Sequence, residues 1–269
     1  MNRTNPGWLV LAGIGLLLIR PATGRAQLDY RNLDDDRPTL IEDAYPVERF
    51  AFELLASWRY ARHQGSGGVH AFVPELEHGM FRNFHVGVKL PIAGGRSATG
   101  RDWGISGLRV FALYNFNTEG GWLPALALRT DAVFPVGALA GEHTRVSVKA
   151  IATRSFGRSR IHLNGAYTFG SEGIPAVADA APKWWAGGAV DRTLFRRSTL
   201  LLAELYALRP GDTEPVELNA SLGLRYQWTP VTVLDVGVAR RLKHTGPDYE
   251  VTIGISRAFA IAGLLPGRR

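Results

Sequence analysis

The chain has 269 residues, of which 46% are hydrophobic and 20% charged, so it is too apolar for a disordered chain and too polar for a bundle of membrane helices. It contains no cysteine, which excludes a disulfide scaffold, a cysteine-ligated zinc site and a thiol enzyme. The net charge of +7 is spread along the chain, without the basic tail or run typical of a nucleic-acid-binding protein.

The first 26 residues have the pattern of a secretory signal peptide. An apolar run from Gly7 to Ile19 follows Arg3 and ends at Arg20-Pro21. This run has about 13 residues, fewer than the roughly 20 that a membrane-spanning helix needs. Small residues at Gly24 and Ala26 then predict cleavage before Gln27, so residues 1–26 are interpreted as an export signal.

Cleavage at this point is directly testable. Mass spectrometry of the protein taken from outer membranes is expected to find a mature N-terminus at or near Gln27, because export removes the signal peptide. A retained Met1 would contradict the prediction that the chain is exported.

Residues 27–48 form a polar segment without periodicity, interrupted by Pro38 and Pro46. The run Asp34-Asp35-Asp36 lacks the glycine and the closing glutamate at the spacing that calcium loops use, so it is interpreted as a solvated acidic stretch. We predict an irregular lead-in, periplasmic or plug-like, ahead of the folded region.

From Arg49 onwards, apolar and polar residues alternate with a period of two. In residues 217–228, leucine, alanine and aromatic residues at the even positions alternate with polar residues and a glycine at the odd positions. Because successive side chains of a strand point to opposite faces, each such segment has one apolar and one polar face. The alternation predicts about twelve strands, over residues 49–61, 70–78, 81–91, 102–116, 121–135, 143–155, 159–170, 182–193, 198–209, 216–228, 231–241 and 248–259.

The strand lengths and connections favour a membrane barrel over a soluble sandwich. Most predicted strands have about 10–13 residues, against about 5–6 for a soluble strand and about 9–11 for a tilted membrane strand. Longer connections, such as Ile92–Arg101 and Ser171–Ala181, alternate with shorter turns, and aromatic residues lie near the strand ends in two girdles. We therefore predict an all-β, transmembrane, antiparallel up-and-down β-barrel over residues 49–259, with a C-terminal tail at 260–269.

The barrel prediction assigns the charged residues to the lumen, because Arg or Lys at the lipid midplane costs about 2–4 kcal/mol. Both signs of charge occur there, which predicts paired charges across the interior. The predicted lumen-lining residues are Glu53, Arg59, Glu75, Glu77, His85, Lys89, Arg109, Arg129, Asp131, Lys149, His162, Asp191, Glu204, Glu217, Arg225, Asp235 and Glu250.

The sequence shows no pattern of a catalytic or metal site. None of the seven histidines is followed two residues later by serine, the pattern of barrel phospholipases, and no G-x-S-x-G elbow or paired metal spacing occurs. His85 and His162 are interpreted as hydrogen-bonded lumen histidines. Glu75 with Glu77, and Arg129 with Asp131, are interpreted as members of a lumen network rather than a substrate-binding cluster. The chain is predicted to be neither an enzyme nor a cofactor-binding protein.

Residues 37–44 (RPTLIEDA), followed by a proline and by Arg49–Leu54, resemble the start of an outer-membrane barrel family. This family is labelled for the meta-pathway of phenol degradation and is often simply called "transporter". The resemblance covers the whole mature chain, and its most specific part is the short Glu42-Asp43-Ala44 segment with the strand after it. It implies a barrel of roughly twelve strands and a role in the uptake of small, often aromatic, compounds.

These observations predict a Gram-negative outer-membrane channel for the passive uptake of small molecules, aromatic or hydrophobic compounds among them. Two alternatives remain open: a structural or adhesive barrel with a filled lumen, and a barrel that hydrolyses lipid. The predicted partners are outer-membrane lipid, the barrel-assembly machinery during biogenesis and a small-molecule solute, without nucleic acid. Phe259 resembles the terminal aromatic signal that this machinery reads, although the signal usually closes a chain.

Overall fold

The computed structural model of the chain describes residues 27–63, 67–97, 100–170, 182–194, 198–243, 246–261 and 264. The predicted signal peptide at 1–26, the predicted outer connection Ser171–Ala181 and most of the predicted tail at 260–269 lie outside the described residues. Within the described part of the chain, no helix has the length and apolar character needed to cross a membrane.

Between residues 51 and 260, the described residues form antiparallel strands joined by turns. Their bounds are β1 Ala51–His63, β2 Gly67–Phe81, β3 Phe84–Lys89, β4 Ile92–Ser97, β5 Gly100–Ile105, β6 Leu108–Asn117, β7 Ala125–Phe134, β8 Arg145–Phe156, β9 Ser159–Phe169, β10 Trp184–Thr193, β11 Thr199–Arg209, β12 Glu217–Thr229, β13 Thr232–Lys243 and β14 Tyr249–Ala260.

The sheet closes on itself, because β1 pairs with β2 on one side and with β14 on the other. Closure pairs β1 on both sides, and among the described residues only β5, which pairs with β4 alone, keeps an unpaired edge. Pairing of strand edges is the condition for placing strands in lipid. The result is a closed antiparallel barrel of twelve strands, which confirms the predicted fold class.

The wall departs from the prediction between residues 84 and 117. The predicted loop Ile92–Arg101 is largely strand, the predicted strand 81–91 is shortened to β3, and the predicted strand 102–116 is interrupted between β5 and β6. β3 pairs with the second half of β2, and β4 pairs with its first half. Pro91, which has no N–H to donate, separates β3 from β4, and Gly107 with a φ of 135° separates β5 from β6. Each of these two barrel positions is therefore built from two segments.

The two faces of the wall differ in polarity along each strand. In β12 the odd-numbered residues from Glu217 to Arg225 are buried, whereas Leu222 is 56% exposed on the outer face. The outer face is covered by further exposed apolar side chains, among them Leu163, Leu205, Val238 and Ile253. Large exposed aromatic residues lie near strand ends, as at Trp122 and Trp228. This exterior suits a bilayer, with aromatic rings at the headgroup level.

Candidate functional site

The predicted lumen-lining side chains all lie on the inner face of the wall. Each is buried, except Glu250, whose side chain is 28% exposed. Burial of so many charged groups requires partners, because a charge without one is costly to remove from water. Most of these partners come from a part of the chain outside the wall.

Residues 27–48, here called the plug, run through the barrel interior. Leu28, Leu33, Ile41 and Ala44 of the plug are at most 2% exposed. At its start, the Leu28 amide donates a hydrogen bond to the Pro230 carbonyl in the short turn between β12 and β13. The lead-in therefore fills much of the lumen and contributes to its apolar clusters.

The plug contains no strand, and wall side chains satisfy several of its backbone donors. The amides of Ile41 and Glu42 donate to Glu204 Oε2 at 2.8 Å and to Asn164 Oδ1 at 2.9 Å, respectively. Further along, the amides of Ala44 and Val47 donate to Thr153 Oγ1 at 3.0 Å and to His85 Nδ1 at 3.1 Å. The acceptors belong to strands on several sides of the barrel, so they fix the path of the plug across the lumen.

Four cations project from neighbouring strands β3, β6, β7 and β8 toward the plug. We call this set the basic ladder; it comprises Lys89, Arg109, Arg129 and Lys149. Within it, Asp35 Oδ2 lies 3.0 Å from Lys89 Nζ and 3.4 Å from Arg129 Nη2. Glu42 accepts from Arg129 Nη1 and from Lys149 Nζ, both at 2.8 Å. The ion pairs of the lumen therefore run largely through the plug, rather than directly from wall to wall as the sequence predicted.

Asp35 shows the strength of this electrostatic environment. Burial opposes ionisation of its carboxyl, but the positive charges of the basic ladder, above all Lys149 and Lys89, outweigh burial and hold the pKa of Asp35 well below its usual range. Asp35 is therefore an anion that the basic ladder stabilises.

Beside the basic ladder, the plug also presents a cation to acidic wall residues, among them Glu75, which lies 3.4 Å from Lys89 Nζ. Arg37 Nη2 lies 3.3 Å from Asp34 and 3.8 Å from Glu75 on β2. Oxygen atoms of Asp34, Glu53 and Glu77 lie within 4.8 Å of one another, which is compatible with a metal ion. Arg37 already supplies positive charge to Asp34 in this group. The sequence missed the cluster because its members come from the plug and from two different strands.

His162 is fully buried and hydrogen-bonded on both ring nitrogens. Its Nδ1 lies 3.0 Å from Thr153 Oγ1 and its Nε2 lies 3.0 Å from Asp191 Oδ2. Thr153, His162 and Asp191 are arranged like a catalytic triad. However, the Thr153 oxygen also accepts a hydrogen bond from the Ala44 amide of the plug, so no room is left for a substrate. The arrangement fixes the plug to the wall.

Arg160 on β9 is a lumen residue that the sequence prediction omitted. Its guanidinium lies 3.0 Å from Asp43 of the plug and 2.6 Å from Asp191 of β10. Arg160 and His162 are two positions apart and lie on the same face of β9. The alternation that identified His162 could therefore have identified Arg160 as well.

Two wall glycines form a seat for the plug at Pro38. A Cβ built on Gly223 would lie 2.6 Å from Pro38 Cγ, and one built on Gly237 would overlap the Pro38 carbonyl oxygen. Glycine is required at both positions because the backbone of the plug comes so close to the wall.

Beside the plug, the lumen holds a cavity of about 330 Å³ that we call the vestibule. Its lining includes Pro182, Pro210 and Pro247 in or beside the longer connections, so it reaches the end of the barrel that carries these connections. Asp35 and Asp36 of the plug belong to the lining, together with wall residues Arg59, Arg109, Lys149, Trp185 and Tyr206. The plug therefore forms part of the wall of the vestibule.

Comparisons with solved structures support the architecture. The chain is similar to the COG4313 outer membrane channel from Pseudomonas putida F1, with 13% identity, a TM-score of 0.63 and coverage of 85% of this chain and 100% of that chain. It is also similar to the KdgM porin in complex with disordered oligogalacturonate (13% identity, TM-score 0.54, 76% and 99% coverage) and to the NanC porin (9%, 0.51, 77% and 98%). The chain matches no protein-family model and no curated protein sequence. At these identities the likeness shows the fold, a closed antiparallel barrel.

Proposed function

We propose that the protein is an outer-membrane channel for small molecules, closed by its own N-terminal plug in the state described here. The vestibule carries this proposal, because it is a cavity lined by both charged and apolar side chains inside a barrel wall with an apolar exterior, and its lining includes the plug. The similar solved structures described above are named as a channel and two porins, which supports this function. The family resemblance implies that the solutes are aromatic or hydrophobic, and this solute class remains a prediction.

The plug is suited to act as the gate. Wall side chains, rather than a continuous strand ladder, hold its central residues, as at Glu204 and Asn164. Movement of the plug would therefore leave the hydrogen-bonded wall closed and intact. Solute entering the vestibule from outside would pass once the segment around Pro38 leaves its glycine seat.

Gly237→Ala tests this gate. The added methyl group would overlap the Pro38 carbonyl, so the plug must shift, and the conductance of the purified protein in planar bilayers is expected to rise severalfold above wild type. Gly165→Ala is the matched control, because a Cβ there meets only the Trp185 carbonyl oxygen, at 3.9 Å. If the Gly237 variant folds, displaces the plug and still conducts no ions, the channel proposal is wrong.

The structural or adhesive barrel is the second candidate, and the density of ion pairs around Arg129 favours it. Arg129 is fully buried and contacts Asp35, Glu42 and Asp131, which is typical of a permanently filled interior. In that case neither the wild type nor Gly237→Ala would conduct.

The channel proposal includes no chemical reaction. A lipid-hydrolysis assay on the purified protein is expected to give no product above background, and product formation would favour the lipid-hydrolysing alternative. Outer-membrane lipid and the barrel-assembly machinery are the partners that this proposal implies.

A further inference from the structure

The basic ladder brings like charges together along the wall. Lys89 is the register partner of Arg109, and Arg129 is the register partner of Lys149. Like charges directly opposite each other on neighbouring strands destabilise a sheet, and burial strengthens their repulsion. Such a set is stable only with anions between its members. The plug supplies most of them, through the carboxylates of Asp35, Asp36 and Glu42.

One plug carboxylate contacts the whole ladder. In addition to Lys89 and Arg129, Asp35 lies 3.6 Å from Arg109 Nη1 and contacts Lys149 Nζ through its other oxygen. A carboxylate has two oxygens with about four lone-pair directions, so the basic ladder saturates it. The wall thus presents a preformed receptor for a single carboxylate, and Asp35 occupies it.

The receptor can be reached from the vestibule. Arg109, Lys149 and Asp35 all line this cavity, and the ring of Trp185 lies in the same lining with its centroid 5.6 Å from Lys149 Nζ. A small molecule in the vestibule could therefore place a carboxylate on the cations and an apolar body on the indole ring. The cavity of about 330 Å³ is at the lower end of the size range of small-molecule sites.

We propose that the basic ladder is the binding site for the carboxylate of a small monocarboxylate solute, which takes the place of Asp35. This inference rests on the proposed channel function and names the substrate class of the same site. Because the solute anion replaces the plug anion one for one, the basic ladder keeps its charge balance while the plug loses its main ionic contact. The solute thereby competes directly with the gate.

Binding can be measured without conduction, by titrating benzoate into the purified full-length protein in detergent. Benzoate is expected to bind, whereas benzamide, which has the same shape without the charge, binds at least about tenfold more weakly, because hydrogen bonds to a charged carboxylate are stronger than those to a neutral amide. Equal binding of benzoate and benzamide, or no binding of either, would overturn the proposal.

Two variants test the competition with the plug. Asp35→Asn keeps the shape of the side chain and removes the competing charge, so it is expected to bind benzoate about tenfold or more tightly than wild type. Lys149→Met removes a cation of the receptor and is expected to weaken benzoate binding by about tenfold. Lys243→Met, at an exposed position near the end of β13, is the charge-matched control for Lys149→Met and should bind like wild type.

A separate measurement distinguishes failure of this inference from failure of the channel proposal. In planar bilayers, the Gly237→Ala channel is expected to prefer anions, and benzoate in one chamber should reduce its chloride current. A conducting channel that ignores benzoate leaves the channel function standing and refutes the carboxylate site. A protein that binds benzoate in detergent but never conducts has the site without the channel.

Discussion

Replacing Arg129 by methionine is expected to destabilise the folded barrel by about 3–5 kcal/mol, because removing one partner of a buried ion pair leaves charge uncompensated. Arg129 is fully buried and lies 2.9 Å from Asp131 and 2.8 Å from Glu42. Its guanidinium carbon also lies 3.7 Å from the centroid of the Phe111 ring, so the substitution removes a cation–π contact as well. Urea unfolding in detergent micelles, followed by tryptophan fluorescence, measures the change in the free energy of unfolding.

Two further variants separate charge from side-chain packing. Adding Asp131→Asn to Arg129→Met is expected to recover part of the lost stability, since a neutral amide replaces the carboxylate that accepted hydrogen bonds from Arg129. Lys243→Met, an exposed control, is expected to change stability by no more than about 0.5 kcal/mol. A loss below about 1 kcal/mol for Arg129→Met would show that the network around it is solvated.

The barrel wall could be predicted from the sequence because its physical cause is local. A strand with one face on lipid and the other on a polar lumen must alternate with a period of two, and the twelve-strand fold follows from repeating that pattern. The same parity places Arg129 and Asp131 on the inner face, where the structure finds them within hydrogen-bond distance at 2.9 Å.

The path of the plug could not be predicted, because nothing local determines it. Residues 27–48 have no period, and their position depends on acceptors such as Glu204, Asn164 and Thr153, which lie far away in the sequence. The acidic run that the sequence suggested to be solvated instead contains Asp35, the residue with the greatest number of cationic neighbours in the plug. The four cations that contact Asp35 all belong to the wall, so only the tertiary fold brings them to it.

The interrupted strands were missed for a different reason. Between Ile92 and Gly104 the sequence is rich in glycine, and glycine gives no polar or apolar signal to the alternation. The pairing of β4 with β2 depends on backbone hydrogen bonds that any residue except proline can make, so it left no trace in the pattern of side chains.

The second large effect concerns the two faces of β12. Leu222→Arg is expected to impair assembly by about 2–4 kcal/mol, because Leu222 lies near the middle of the strand and is 56% exposed on the apolar outer face, where an arginine meets lipid. Ser221→Arg places the same side chain one position earlier on the inner face. Ser221 lines the vestibule and donates a hydrogen bond to Glu204 Oε1 at 3.1 Å, so an arginine there gains a carboxylate partner beside an open cavity.

Because the two variants introduce the same charge and volume one residue apart, only the face of the wall differs between them. Folded barrels run faster than unfolded chains on unheated SDS gels, so the folded fraction of each variant can be measured from outer membranes. Ser221→Arg is expected to fold like wild type, and in the Gly237→Ala background it should alter the ion selectivity of the conductance, since it adds a cation to the wall of the passage. Equal folding of both variants would show that the outer face of β12 does not meet lipid. An unchanged selectivity in the folded Ser221→Arg channel would instead place the ion path elsewhere than the vestibule.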